Sequence, residues 1–161
     1  MQDLLAAAAK LGALLMARHE TVVVAESSTG GLVSAALLSV PGASAYFLGG
    51  AVIYTRAARA ALLGIPDQAM TGMRPATEAY ARLLARTARE RMSANWALAE
   101  TGASGPSGNR YGDPAGHACI AVVGAAERSI TIETAAADRI ANMRAFAAAG
   151  LALLTQSLEQ A

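Results

Sequence analysis

The chain has 161 residues, with 13 basic against 12 acidic side chains and a formal charge of +1. That length fits one domain over residues 1–161, and the charge balance argues against a nucleic-acid partner. A single cysteine, Cys119, excludes a disulfide framework and a cysteine-rich zinc site, and 54% hydrophobic content argues against disorder.

The stretch from Leu4 to Met16 is apolar, but Asp3 precedes it and Lys10 interrupts it. Leu4, Leu11, Leu14 and Leu15 follow helical spacing, so an amphipathic packing helix is expected rather than a signal peptide or a membrane span. A cytoplasmic protein without a membrane partner is expected. Thr21 to Ala25 reads as a buried strand, broken by Glu26-Ser27-Ser28-Thr29-Gly30-Gly31. Leu32 to Val40 reads as a helix closed by Pro41-Gly42, and Gly50 to Thr55 as a second strand. Ala57 to Leu63 is a short helix ended by Gly64 and Pro66. The next helix is expected to hold Pro75 in its first turn and Glu78 at its positive end, and to run to about Met92.

Trp96 to Ala99 is a strand. From Gly102 to Gly116 the chain carries five glycines and two prolines, a density that predicts a shaped loop. His117 to Val123 and Ser129 to Thr134 read as strands, and the last helix runs from about Asp138 to Leu158. Early alternation of strands and helices followed by a strand pair predicts a layered α/β domain with a mixed sheet.

Three constellations could carry chemistry. The Glu26–Gly31 turn joins a strand to a helix. Its glycines let backbone approach a ligand, the helix start would aim N–H groups outward, and a serine there suits a nucleophile. Local pattern alone favours a Ser/Thr helix cap. The turn is neither a phosphate-binding P-loop nor a dinucleotide fingerprint nor the G-x-S-x-G elbow, so no cofactor is expected. Tyr54 ends a strand, with Arg56 and Arg59 two and five residues on, as anion-binding candidates; the plain reading is a half-buried tyrosine beside solvated arginines. Thr101-Gly102-Ala103-Ser104-Gly105-Pro106 again follows a strand, where α/β sheets bind ligands. His117 and Cys119 share a strand face, and with no further His or Cys nearby they read as core packing rather than a metal site.

In order, Ala25-Glu26-Ser27-Ser28-Thr29-Gly30-Gly31, Val40-Pro41-Gly42-Ala43-Ser44, Tyr54 with Leu62-Leu63-Gly64, and Thr101 to Pro106 resemble the CinA C-terminal domain family over nearly the whole chain. The resemblance implies a three-layer α/β/α sandwich with a mixed sheet. It implies the stand-alone form of the domain, without the molybdopterin-binding-like domain of full-length members. The family includes nicotinamide mononucleotide deamidases, so it also implies a metal-free amidohydrolase releasing ammonia and nicotinic acid mononucleotide. Carried over residue by residue, the serine nucleophile falls on Ser27, the tyrosine on Tyr54 and the lysine on Arg59. Thr29, Gly30, Gly31, Arg56, Thr101, Gly102, Gly105 and Arg139 are then expected to bind substrate, with Arg110 a further phosphate candidate. A homo-oligomer is implied as well.

The sequence departs from the family pattern at three places. Ser28 stands where the family has cysteine, Glu100 where it has an apolar residue, and Arg59 where it has lysine. Arginine does not give up its proton in proteins, so it cannot act as a base. Three readings are open. In the first, Tyr54 is the base, its phenolate held by Arg59 and Arg56. In the second, the fold binds a nucleotide and regulates without turnover. In the third, a related amide is the substrate.

Overall fold

The computed structural model describes residues 2–161. Five strands form one mixed sheet in the order β2-β1-β3-β4-β5. They are β1 (Val22–Glu26), β2 (Phe47–Val52), β3 (Trp96–Ala103), β4 (His117–Val123) and β5 (Glu127–Glu133). β1 runs parallel to β2 and β3, and the β3–β4 and β4–β5 pairs are antiparallel. The helices are α1 (Gln2–Arg18), α2 (Leu32–Leu38), α3 (Arg56–Leu63), α4 (Glu78–Met92) and α5 (Arg139–Glu159).

The expected α/β/α sandwich is found. Leu11 and Leu15 of α1, Leu37 of α2 and Leu151 and Leu154 of α5 pack on Val22, Val24, Trp96, Leu98, Ile120 and Val122. The opposite face of the sheet offers Ala25, Ala97, Ala99 and Ala121 to Ala81, Leu84, Ala85 and Ala88 of α4. Covered on both faces, β1 is buried at every position, which is why it reads as an unbroken apolar run rather than an alternating one.

The chain leaves β1 toward β2 on one side and later crosses to β3 on the other. The carboxyl ends of these strands therefore flank a point where the winding changes direction, the usual place for a ligand crevice.

Several boundaries differ from the sequence reading, and three of them bear on the crevice. The second strand lies at Phe47–Val52 rather than Gly50 to Thr55, because parallel pairing with Val22 to Glu26 sets its register despite Gly49 and Gly50. α4 begins at Glu78, and Thr77 caps it by accepting the Tyr80 N–H at 3.2 Å. Pro75 therefore lies outside the first turn, separated from the cap by Ala76, whose φ is +57°. β3 continues to Ala103 because Glu100 to Ala103 pair with His117 to Ile120. Gly102 thus belongs to a strand, not to the loop. A Cβ there would lie 2.4 Å from the His117 carbonyl oxygen, so close strand approach demands the glycine.

Candidate active site

Two buried carboxylates shape the turn after β1. Glu26 accepts the N–H groups of Gly31 and Val33 at 3.0 Å and of Ser34 at 2.9 Å, and the Ser34 hydroxyl at 2.6 Å. The start of α2 is therefore filled by the protein's own anion. This corrects the expectation that its N–H groups face a ligand, and equally the expectation of a Ser/Thr cap, since the capping residue is Gly31.

Glu100 lies beneath the same turn with 2% exposure. It accepts from the Ser27 N–H at 3.1 Å, the Thr29 N–H at 2.9 Å, the Thr29 hydroxyl at 3.0 Å and the Ser28 hydroxyl. Burial pushes its carboxyl above the ordinary range, against the pull of these four donors. Two of the departures from the family pattern, Ser28 and Glu100, thus touch each other. Thr29 is fully buried with its donors spent on Glu100. The Ser27 hydroxyl has no protein hydrogen-bond partner among the described residues.

Ser27 opens onto a cavity of about 580 Å³, whose wall also holds Tyr54, Arg56, Arg59, Thr101 and Gly102. A smaller cavity of about 270 Å³ shares Tyr54 and Gly102 and adds Ser28, Gly105 and Arg139. The crevice thus gathers most of the residues singled out from sequence. Thr29, Gly30 and Gly31 are the exceptions: they line neither cavity, and a Cβ on Gly30 would lie 3.1 Å from the Met143 methyl.

The arginine roles differ from expectation. Tyr54 is 61% exposed, and Arg139, not Arg59, donates to its oxygen at 3.4 Å. Arg139 also donates to the Gly105 carbonyl at 2.6 Å. Arg59 is buried, donates to the Ile65 carbonyl at 3.3 Å and pairs with Asp67. It is held as a fixed cation by these partners, none of which is Tyr54. Arg56 pairs with Asp67 too.

The wall facing Ser27 includes Pro75 and Ala76. The Ala76 N–H donates to the Thr101 hydroxyl at 3.1 Å, and its carbonyl lies 2.9 Å from His117 Nε2. His117 Nδ1 meets the Glu133 carboxylate. Both ring nitrogens face acceptors, an arrangement that favours a proton on each. Burial opposes that charge, but Glu133, the Ala76 carbonyl and Asp113 outweigh it and raise the His117 pKa. Behind this wall Arg74 donates to Asp113 at 2.6 and 3.1 Å, and holds its carboxyl at about 2.

Sequence reasoning missed Glu100, His117, Arg74 and Asp113. Glu100 carried a signal, as a charge at an apolar position directly after buried strand residues. His117 carried less, because a lone strand histidine reads as core.

The family model of the CinA C-terminal domain matches residues 5–158. The chain belongs to the CinA C-terminal domain family. A CinA-like protein of Prochlorococcus marinus is 46% identical over 111 residues, 69% of this chain and 26% of that protein. One from Gloeobacter violaceus is 40% identical over 136 residues, 84% and 32% of the two chains. The chain therefore spans about a quarter to a third of the length of these curated relatives. Among solved structures, a competence/damage inducible protein from Agrobacterium tumefaciens superposes with a TM-score of 0.89 at 28% identity, covering 98% of this chain and 96% of that one. A CinA superfamily protein from Escherichia coli gives 0.88 at 26%, covering 95% and 90%. Among the described residues no helix is long and apolar enough to cross a membrane, and no group of three His, Cys, Asp or Glu could hold a metal ion.

Proposed function

We propose that this CinA-family domain hydrolyses the carboxamide of nicotinamide mononucleotide, with Ser27 as nucleophile. The observation that carries the reading is Ser27 itself. It sits at the carboxyl end of a central strand, its backbone is anchored by Glu100, and its hydroxyl is unspent and faces a nucleotide-sized cavity. Ser27 Oγ attacks the amide carbon, its proton passes through Tyr54, and ammonia leaves with that proton. Water then attacks the acyl-enzyme, giving nicotinic acid mononucleotide and restoring the serine. Because Arg139 donates to the Tyr54 oxygen, the phenol's own hydrogen is left for exchange with the reacting groups. Gly102, Gly105 and Thr101 supply the opposite rim. Thr29, Gly30 and Gly31 serve substrate binding only by holding Ser27 in place.

The turn N–H groups of Ser27 and Thr29 are spent on Glu100, so they are not donors to a developing oxyanion. Such donors must come from elsewhere on the rim.

A second reading is a nucleotide-binding regulatory module without turnover. It is favoured by Arg59, a guanidinium locked to Asp67 in the position where the family places lysine. Incubating the protein with nicotinamide mononucleotide and measuring ammonia decides between them. Stoichiometric binding by calorimetry without ammonia release selects the second.

A further inference from the structure

The turn after β1 faces two ways. Ser27 lies on the wall of the main cavity, and the next residue, Ser28, on the wall of the smaller one of about 270 Å³. Tyr54 and Gly102 belong to both walls, so the two cavities meet there. Their chemistry differs. Of the two, only the main cavity is lined by Arg56, Arg59 and Arg110. The smaller one is lined by hydroxyls, glycines and Asn109, with Ala103 as its only aliphatic side chain. Its one cation, Arg139, already gives Nη1 to the Gly105 carbonyl and Nη2 to the Tyr54 oxygen. Such a lining offers little to a flat apolar ring and suits small molecules that hydrogen-bond.

Two serines in this cavity have hydrogen-bonding capacity to give. Ser104 is 2% exposed, and its hydroxyl has no hydrogen-bond partner among the described residues. A buried hydroxyl left unpaired is costly, and an ordered water is a common remedy. Ser28 is also buried, and its hydroxyl is bonded to Glu100. Three donors converge on Glu100 Oε2, which leaves Oε1 to Ser28 alone. Burial pushes the Glu100 carboxyl toward its neutral form. With its proton on Oε1, that carboxyl donates to the Ser28 oxygen, and the Ser28 hydrogen is free for the cavity.

We propose that the smaller cavity is the water side of the site: it holds the water that hydrolyses the acyl-enzyme, with Ser28 and Ser104 as its anchors and Tyr54 as the group that passes its proton. One step of Ser104 χ1 between staggered wells brings its hydroxyl to that water. The volume is far above what a single water needs. The water oxygen bonds to the acyl carbon as the bond from that carbon to Ser27 Oγ breaks. One water proton passes through Tyr54 to Ser27 Oγ, and the other leaves with the acid product. Nucleotide and water thus come from separate cavities, and neither has to vacate its place for the other. The hydrolytic role rests on the amidase reading; the water site does not.

Two measurements test this. The first is a crystal structure of the unliganded protein at a resolution that shows ordered water. A water within hydrogen-bonding distance of both the Ser28 and Ser104 hydroxyls is expected, and it should be lost in Ser104→Ala. A native structure with no water on Ser104 would overturn the proposal. The second uses hydroxylamine, which competes with water for an acyl-enzyme. With nicotinamide mononucleotide as substrate, the ratio of hydroxamate to acid product reads the water step alone, whichever step limits turnover. Ser104→Ala should raise that ratio about tenfold to a hundredfold, the scale of a misplaced reactant. The variant removes a hydroxyl that holds no protein partner, so it keeps its fold. An unchanged ratio would overturn the hydrolytic role, and so would ammonia release with no hydroxamate at all. A native protein that releases no ammonia fails the amidase reading and takes the hydrolytic role with it, and the crystal structure then decides the water site by itself.

Discussion

His117 Nε2 lies 2.9 Å from the Ala76 carbonyl, and Ala76 is held in the left-handed region with φ +57°. That backbone costs an alanine about 1–2 kcal/mol, so the wall of the crevice stands because His117 and Thr101 grip it from both sides. The His117 pKa is raised above its ordinary 6.5, so the stabilisation is fully present below about pH 6.5. It is lost as pH rises through the raised value. The excess melting temperature of the native protein over His117→Gln should therefore shrink as pH is raised. Ring NMR reads the same event directly, since the sequence has only His19 and His117. A difference that stays constant with pH would mean that the ring is not charged.

Glu100 should tolerate glutamine and reject leucine. Three donors converge on its Oε2 and only the Ser28 hydroxyl on Oε1. In Glu100→Gln the amide oxygen can take the three while the amide nitrogen donates to Ser28. Glu100→Leu strands four donors under the turn and should cost about 3 kcal/mol or more. The sign with pH follows from the raised carboxyl. Its contribution is complete below pH 4.5 and falls as pH rises through the folded value, so Glu100→Gln gains on the native protein in that direction. Chemical denaturation at acid and neutral pH measures both effects.

Ser27→Ala should abolish ammonia release and leave stability within about 0.5 kcal/mol, because the hydroxyl holds no protein partner. Turnover that persists in this variant would point to a water-based mechanism. A large loss of melting temperature would instead show a hidden structural contact.

Arg59→Lys should lower activity rather than raise it. The guanidinium reaches the Ile65 carbonyl through Nε and Asp67 through Nη2 together, and a single ammonium cannot span both. A loss of about 1–3 kcal/mol in stability is expected as well. A clear gain in turnover, read in the same ammonia assay, would show that a neutral amine at this position is the missing base.

Much of the scaffold was legible because its signals are local. Buried parallel strands leave continuous apolar runs, and Gly64 ends α3 as expected, whereas Thr55, read as strand, caps its start. The strand-end motifs also placed Ser27, Tyr54 and Thr101 on one crevice, since α/β winding brings strand ends together. Partner choice was not legible. Which arginine meets Tyr54, or that Asp67 draws both Arg56 and Arg59, depends on loops folding back across the sheet. Gly102 misled for the opposite reason: a glycine chosen for tight strand contact looks the same in sequence as one chosen for a turn.

The alanine face of the sheet has a consequence for substrate range. Ala25, Ala97, Ala99 and Ala121 let α4 settle close, and the segment leading into α4 carries Pro75 and Ala76, one wall of the crevice. The short methyl side chains act as a spacer that sets how far apart the two banks stand. Exchanging one for valine would push α4 outward and widen the opening while every site residue kept its identity. Relatives could therefore come to admit bulkier molecules through changes confined to the dry interior, where a comparison of site residues would register nothing.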